Sequence, residues 1–424
     1  MTGLNKIPYF IMDRSSRVVS ASYGLLRRKL VRSVVGRSVA WQQERSYRPP
    51  PSVLDKFKGH VVDLRSDTLT KPSPGMKKAM MDALLGDDVY REDPTVSELE
   101  NCMAACTGKD SALFVPSGTM GNLICVLGHC EHRGSEVLLG DQAHIFLYEQ
   151  AGMAQLGGIQ PHIIPTEPNG TFDVNEISAR LRVEDVHCPR TTLICIENTQ
   201  NVCGGKVVPC HWIDEVGSVA KSSGIPLHMD GARLMNAVIA SGVSAARILQ
   251  GCDTASICFS KGLGTPVGSV IVGPEDFMYK AIRLRKVLGG GMRQAGMLAA
   301  AALYALEHMV ERLADDHKHA KLLAQAISET GSKNVTCQLA DVHTNIVIVH
   351  LHPEALTPEQ FCDRLSMVGE GEARVVGEEI IIRVLPWSTD SVRFVTHHDA
   401  TFDDVQITIA KLKHIIGEID LQEK

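Results

Sequence analysis

Two residues that bound a stretch of thirty-two, Asp230 and Lys261, are of the types that cofactor chemistry uses. The apolar run IPLH leads into Met229-Asp230-Gly231-Ala232-Arg233, and the apolar run ASICF leads into Ser260-Lys261. Each reads as a short buried strand that delivers its charged residue at the C-terminal end, where open α/β sheets place ligands. A carboxylate and a lysine side by side in a low-dielectric cleft suit pyridoxal phosphate, held as a Schiff base by Lys261 with its ring nitrogen kept protonated by Asp230. A structural ion pair between two strand ends would give the same spacing, and spacing alone does not choose.

A third stretch supplies what a phosphate needs. In FVPSGTMGN a strand ends at a turn holding Ser117, Gly118 and Thr119, and a helix follows. Backbone N–H groups at such a helix start, with hydroxyls beside them, bind anions. The GK[ST] of a nucleotide loop is missing, and an ordinary strand-to-helix turn has the same pattern. GLGTPVGS, after Lys261, is no dinucleotide fingerprint, because it precedes a strand rather than a helix and has no paired acid downstream. Two histidines lie near strands: His144 follows one in LLGDQAHIFLYE, at the end where ligands gather, and His187 precedes one in VEDVHCPRTTLICIEN. No set of residues is read as a metal site, since the twelve cysteines contain no CxxC pair.

These residues require a particular scaffold. From residue 60, short β-rich runs alternate with helical stretches: a helix entered near Pro74, VSELENCMAACT closed by Gly108, the strands SALFV, SEVLLGD and TTLICIEN, and the helix HWIDEVGSVAKSSG. Strands alternating with helices over this length imply a mostly parallel sheet covered on both faces. A continuous helix from Gly291 to about Ala326 is expected to carry the chain out of that domain. NIVIVHL, EEIIIRVLP and VRFVTH then read as strands of a smaller α+β domain. The expected organisation is a leader and linker over 1–55, a large domain over 60–305 and a small domain over 306–424.

The net charge of −6 conceals an asymmetry. Residues 1–50 hold ten Lys/Arg against Asp13 and Glu44, a charge of +8, so residues 51–424 carry −14. An acidic body weighs against a nucleic-acid partner, and no apolar run approaches the length of a membrane span. The leader is Arg- and Ser-rich and nearly free of acids, with Leu26, Leu30 and Val34 on one helical face. It reads as an organelle transit peptide, mitochondrial by composition; a basic tail without an address, on a cytosolic protein, is the alternative.

DLRSDTLTKPSPGM, GDDVYREDPT, ALFVPSGTMGN, AHIFLYE, ICIENTQN, HMDGAR, SKGLGTPVGSVIVG, LGGGMRQAG and VRFVTHHD, in this order from residue 60 onward, closely resemble the low-specificity L-threonine aldolases, fold-type I pyridoxal-phosphate enzymes. The resemblance implies Lys261 as the Schiff-base lysine, Asp230 as the partner of the ring nitrogen, Ser117, Gly118 and Thr119 as the phosphate cradle, and His144 stacked on the ring. It implies that Ser66, Arg233 and Arg393 hold the substrate carboxylate, that His187 lies near the substrate hydroxyl, and that Arg293 serves the phosphate end. Tyr90 matches a position given across a subunit interface, which implies a homotetramer with shared active sites. Arg91 and Gln200 depart from the pattern, standing where Gly and His are more usual. The implied reaction is cleavage of L-threonine and L-allo-threonine to glycine and an aldehyde, with His144 and His187 as candidate bases. An aminotransferase or racemase of the same fold, a non-catalytic protein that retains pyridoxal phosphate, and a cofactor-free Schiff-base aldolase are the rivals.

Overall fold

The computed structural model describes residue 57 and residues 59–421. The basic leader, and with it the transit-peptide expectation, lies outside the described residues. The larger sheet has seven strands: β2 (Ser111–Val115), β3 (Ser135–Gly140), β4 (Gln160–Ile164), β5 (Arg190–Glu197), β6 (Leu227–Gly231), β7 (Thr254–Cys258) and β8 (Ser269–Gly273). They lie in the order β2-β8-β7-β6-β5-β3-β4. All neighbours run parallel except β8, which is antiparallel to both β7 and β2. Strands β6, β7 and β8 are buried at every position, as expected of a sheet covered on both faces, and this is why they read as unbroken apolar runs.

The covering helices start and stop where local chemistry dictates. In α1 (Pro94–Thr107), the Asp93 side chain accepts from the Thr95 and Val96 N–H groups, Pro94 opens the first turn, and Gly108 closes it at φ 64°. Ser117 caps α2 (Gly118–His129) by accepting from the Met120 N–H.

A second core gathers around a small sheet of β9 (Val335–Thr336), β10 (Ile346–Leu351), β12 (Leu385–Pro386) and β13 (Ser391–Val395), with β11 (Ile380–Arg383) and the last helix, Phe402–Leu421. The expected long helix is two, Gly296–His308 and Leu313–Ser328. The first packs Ala299, Ala302 and Ala305 into the core of the large sheet, and the second packs Ala320, Leu323 and Ile327 into the other. One straight helix would have to present both faces at once; the turn between them lets the chain change cores without Pro or Gly to mark it. The strand β1 (His60–Asp63) stands apart from the seven-stranded sheet and pairs in parallel with β11, Val62 opposite Ile382. No helix among the described residues is long and apolar enough to cross a membrane.

Candidate active site

Three neighbouring parallel strands, β5, β6 and β7, bring Glu197, Asp230 and the Ser260-Lys261 segment to one end of the sheet. Glu197 lies directly opposite Asp230, and Asp230 opposite Ser256. The buried Asp230 carboxylate accepts from Asn122 Nδ2 at 2.9 Å and from the Ala232 N–H at 3.0 Å. The His144 N–H donates to Glu197 Oε2 at 3.0 Å, and its ring Nδ1 lies 3.0 Å from Glu149 Oε1. Polar atoms of His144, Glu149 and Asp230 fall within 4.8 Å of one another. So many acids in a dry place act on each other. Burial, with Asp230 adding to it, pushes Glu197 up to about 7, and burial raises Glu149 as well. Burial disfavours the His144 cation, but the Glu149 hydrogen bond and the charges of Asp230 and Glu197 outweigh it, so the imidazole is more basic than usual.

Lys261 sits just past the end of β7, with its Nζ 3.4 Å from Cys258 Sγ and its carbonyl accepting from Thr70 Oγ1 at 3.0 Å. The Ser117-Gly118-Thr119 turn meets the same cysteine: a Cβ built on Gly118 would lie 2.4 Å from Cys258 Sγ. Only glycine allows this approach, which sets the anion-binding helix start beside the lysine.

Two buried arginines close the cleft, and they differ. Arg233 is neutralised: its Nε and Nη2 each donate to Asp67 at 2.8 Å, and Asp67 is wholly buried. Burial raises the Asp67 pKa, but Arg233, with Lys261 and Asn345, pulls it well below the usual carboxylate range. Arg393 has no such partner. Its Nη1 reaches Asn201 Oδ1 at 3.3 Å, which also accepts from Arg233 Nη1, and its Nη2 reaches the Arg65 carbonyl at 3.3 Å. The guanidinium lies 4.1 Å from the centroid of the Trp387 ring, and its Nε has no hydrogen-bond partner. Among the described residues no carboxylate forms an ion pair with it, and burial and the like charge of Arg233 lower its pKa to about 10. A buried cation without a counter-charge is a site for an anion.

Ser66 is next to Arg65, but its hydroxyl accepts from the Thr68 N–H and from Thr68 Oγ1. Three expected site residues are not gathered with Lys261 in this chain. His187 precedes the N-terminal end of β5, the edge of the sheet opposite Glu197 and Asp230, where it is 86% exposed and pairs with Asp185. A strand of eight residues separates it from the site, so it cannot meet the hydroxyl of a substrate bound in its own chain. Tyr90 is 71% exposed, and Arg293 bonds Asp87 three residues before it. Arg293 thus packs against the surface turn that carries Tyr90. Reasoning from sequence missed Asp67, Glu149, Glu197, Asn201 and Trp387, although Asp67, Glu149, Glu197 and Asn201 all stand inside motifs that were informative.

The beta-eliminating lyase family model matches residues 63–352. Low-specificity L-threonine aldolase 1 of Arabidopsis thaliana is 44% identical over 352 residues, 82% of this chain and 94% of the relative. The low specificity L-threonine aldolase of Escherichia coli K12 is 43% identical over 345 residues, 80% of this chain and 95% of the relative. The solved threonine aldolase of Leishmania major superposes with a TM-score of 0.68 at 20% identity, over 84% of this chain and 99% of that one, a likeness of fold. Strand ends that carry an acid and a lysine, an anion turn against that lysine, and relatives aligned over four fifths of the sequence agree: this chain belongs to the low-specificity L-threonine aldolase family.

Proposed function

We propose that the protein cleaves β-hydroxy-α-amino acids such as L-threonine and L-allo-threonine to glycine and an aldehyde. The observation that carries this reading is Arg393, a buried guanidinium left without a carboxylate in the same cleft as a lysine and a buried acid. An amino-acid carboxylate supplies the missing charge. The site also fits pyridoxal phosphate: the Ser117–Thr119 turn offers N–H groups and hydroxyls to its phosphate, Lys261 an amine for covalent attachment, and Asp230 a fixed negative charge for its ring nitrogen. When bound, that group takes up the electron pair freed as the Cα–Cβ bond breaks.

The chain's own residues do the rest. Arg393 binds the carboxylate and fixes the orientation of Cα. Asp67 keeps Arg233 turned toward Asn201, so the clamp is a single free guanidinium with a second one braced behind it. His144 is held at its N–H by Glu197 and at Nδ1 by Glu149, leaving Nε2 to accept the proton of the β-hydroxyl; within one chain it, rather than His187, is placed to serve as base. The test is Lys261→Ala. It should fold as the parent does, lose the visible chromophore that borohydride bleaches, and release no acetaldehyde from L-threonine. A chromophore that survives would reject the assignment.

Three finer readings accompany this one. The +8 leader supports import into mitochondria, and diffuse cytosolic signal from residues 1–50 fused to a fluorescent protein would refute it. Tyr90, Met81 and Leu84, all more than 70% exposed, support burial of that surface against another copy, in a homotetramer that shares its sites. The reaction would supply glycine from threonine.

A further inference from the structure

The turn that carries Tyr90 is tied to the sheet by a chain of charges that neither the reaction nor the fold pattern calls for. Arg91 holds the left-handed conformation at φ 60°, where a side chain is disfavoured and glycine is at ease. Its guanidinium reaches Asp88 Oδ1 at 3.2 Å and ion-pairs with Glu100. Asp88 Oδ2 meets Arg285 at 2.7 Å. Glu100, Asp88 and Arg285 are all at most 4% exposed. The two ends of this chain close on one residue: Glu100 accepts the Phe114 N–H at 2.9 Å, and Arg285 donates to the Phe114 carbonyl at 2.7 Å. Phe114 belongs to β2, at the edge of the sheet, so the network occupies the hydrogen-bonding side that no strand covers. Three residues beyond Phe114 the Ser117–Thr119 turn begins. On the other side, the Asp88 N–H donates to the Arg293 carbonyl at 3.0 Å, and Arg293 Nη1 reaches Asp87 at 3.0 Å.

We propose that Arg91 is a positioning residue for the phosphate end of the cofactor site, locking the Asp87–Glu92 turn to the edge of β2 so that the strand leading into the Ser117–Thr119 turn is held in place. This rests on the reading of the Ser117–Thr119 turn as phosphate-binding. Removing Arg91 leaves the Glu100 carboxylate buried with no cation of its own and close to Asp88, and the repulsion falls on the strand that leads into the cradle.

The test is titration of the full-length chain, stripped of cofactor, with pyridoxal phosphate, read by the absorbance of the bound form and paired with a thermal melt. R91M should raise the dissociation constant about tenfold, within the range carried by packed ionic networks. E100Q added to R91M should return it to within about threefold of the parent, because it removes the charge left bare. R91G relieves the left-handed backbone and so separates strain from charge; it should bind as weakly as R91M. R91K, which keeps the charge without the fork and folds under either account, should fall between parent and R91M. Parent-like affinity in R91M, R91G or R91K overturns the proposal, as does a lowered melting temperature with unchanged affinity. If borohydride traps no cofactor on Lys261 of the parent, the reading of the site has failed; if the parent binds and the variants match it, this proposal alone has failed.

Discussion

Two buried cations carried by elements of the second core, one beneath the last helix and one turned into the cleft, show how differently the same fold treats charge. Beneath the last helix, Lys411 is fully buried, yet its Nζ reaches the Met367 and Ile380 carbonyls at 2.6 Å and Glu372 at 2.8 Å, and Glu372 meets Arg364 at 2.6 Å. Every charge there has an opposite charge in contact. In the cleft, Arg393 is almost as deeply buried and has only neutral oxygens and an aromatic face. A closed network holds two parts of the chain together and has nothing left to offer a ligand; an open one is costly to the folded state and is therefore available.

This contrast predicts opposite responses to removing each cation. Arg393→Met should lower kcat/KM for L-threonine by about 10³-fold, equivalent to about 4 kcal/mol, because it deletes the one free partner of the substrate carboxylate. The same change should leave the melting temperature equal or higher, since it removes an unpaired buried charge; a large loss of stability would show that Arg393 is structural. Lys411→Met should do the reverse. It strands Glu372 in the core and should cost about 3 kcal/mol in denaturant unfolding, while kcat/KM of the folded enzyme stays within about twofold of the parent. A comparable fall in kcat/KM would erase the distinction between the two regions.

A smaller effect sharpens the comparison through pH. Glu197, raised to about 7 by burial and Asp230, binds its proton more tightly in the folded chain than in the unfolded one. Its contribution to stability is therefore fully present below the unfolded carboxylate range and is lost as pH rises through about 7. Glu197→Gln should match the parent near pH 4.5 and exceed it by about 1–3 kcal/mol at pH 8. Melting temperatures across that range give the answer, and parallel curves for the two proteins would mean that Glu197 is ionised in the fold at all of them.

The parts of the site that could be read in the sequence are those whose role follows from position on a strand. Asp230 and Lys261 end apolar runs, and Gly118 opens a helix after one, so periodicity alone brings them to one edge of a parallel sheet. The Asp67–Arg233 pair spans 166 positions, and nothing in RSDTLT shows that its aspartate, rather than its serine, takes the arginine. Glu197 and Asn201 stand at and just past the end of the strand read in TTLICIEN, and their effect depends on which donors fold back over them, which no local pattern shows. His187 shows the opposite case: its motif matched, but within one chain the whole of β5 lies between it and the acids at the other end of the sheet. The broken helix after Gly296 was hidden because its two halves have compatible apolar periodicities and differ only in which core receives them.

The pairing of β1 with β11 sets a boundary for shortening the chain. Cutting after Lys58 would leave all of His60–Asp63 in place along Ile380–Arg383, together with the segment that delivers Ser66 and Asp67 to the cleft. Cutting after Asp63 would strip β11 of that neighbour, free the Arg65 backbone that Arg393 leans on, and unmoor the acid that restrains Arg233. A shortened chain therefore has to begin before His60, and one begun a few residues later would lose the backbone that Arg393 leans on as well as a strand.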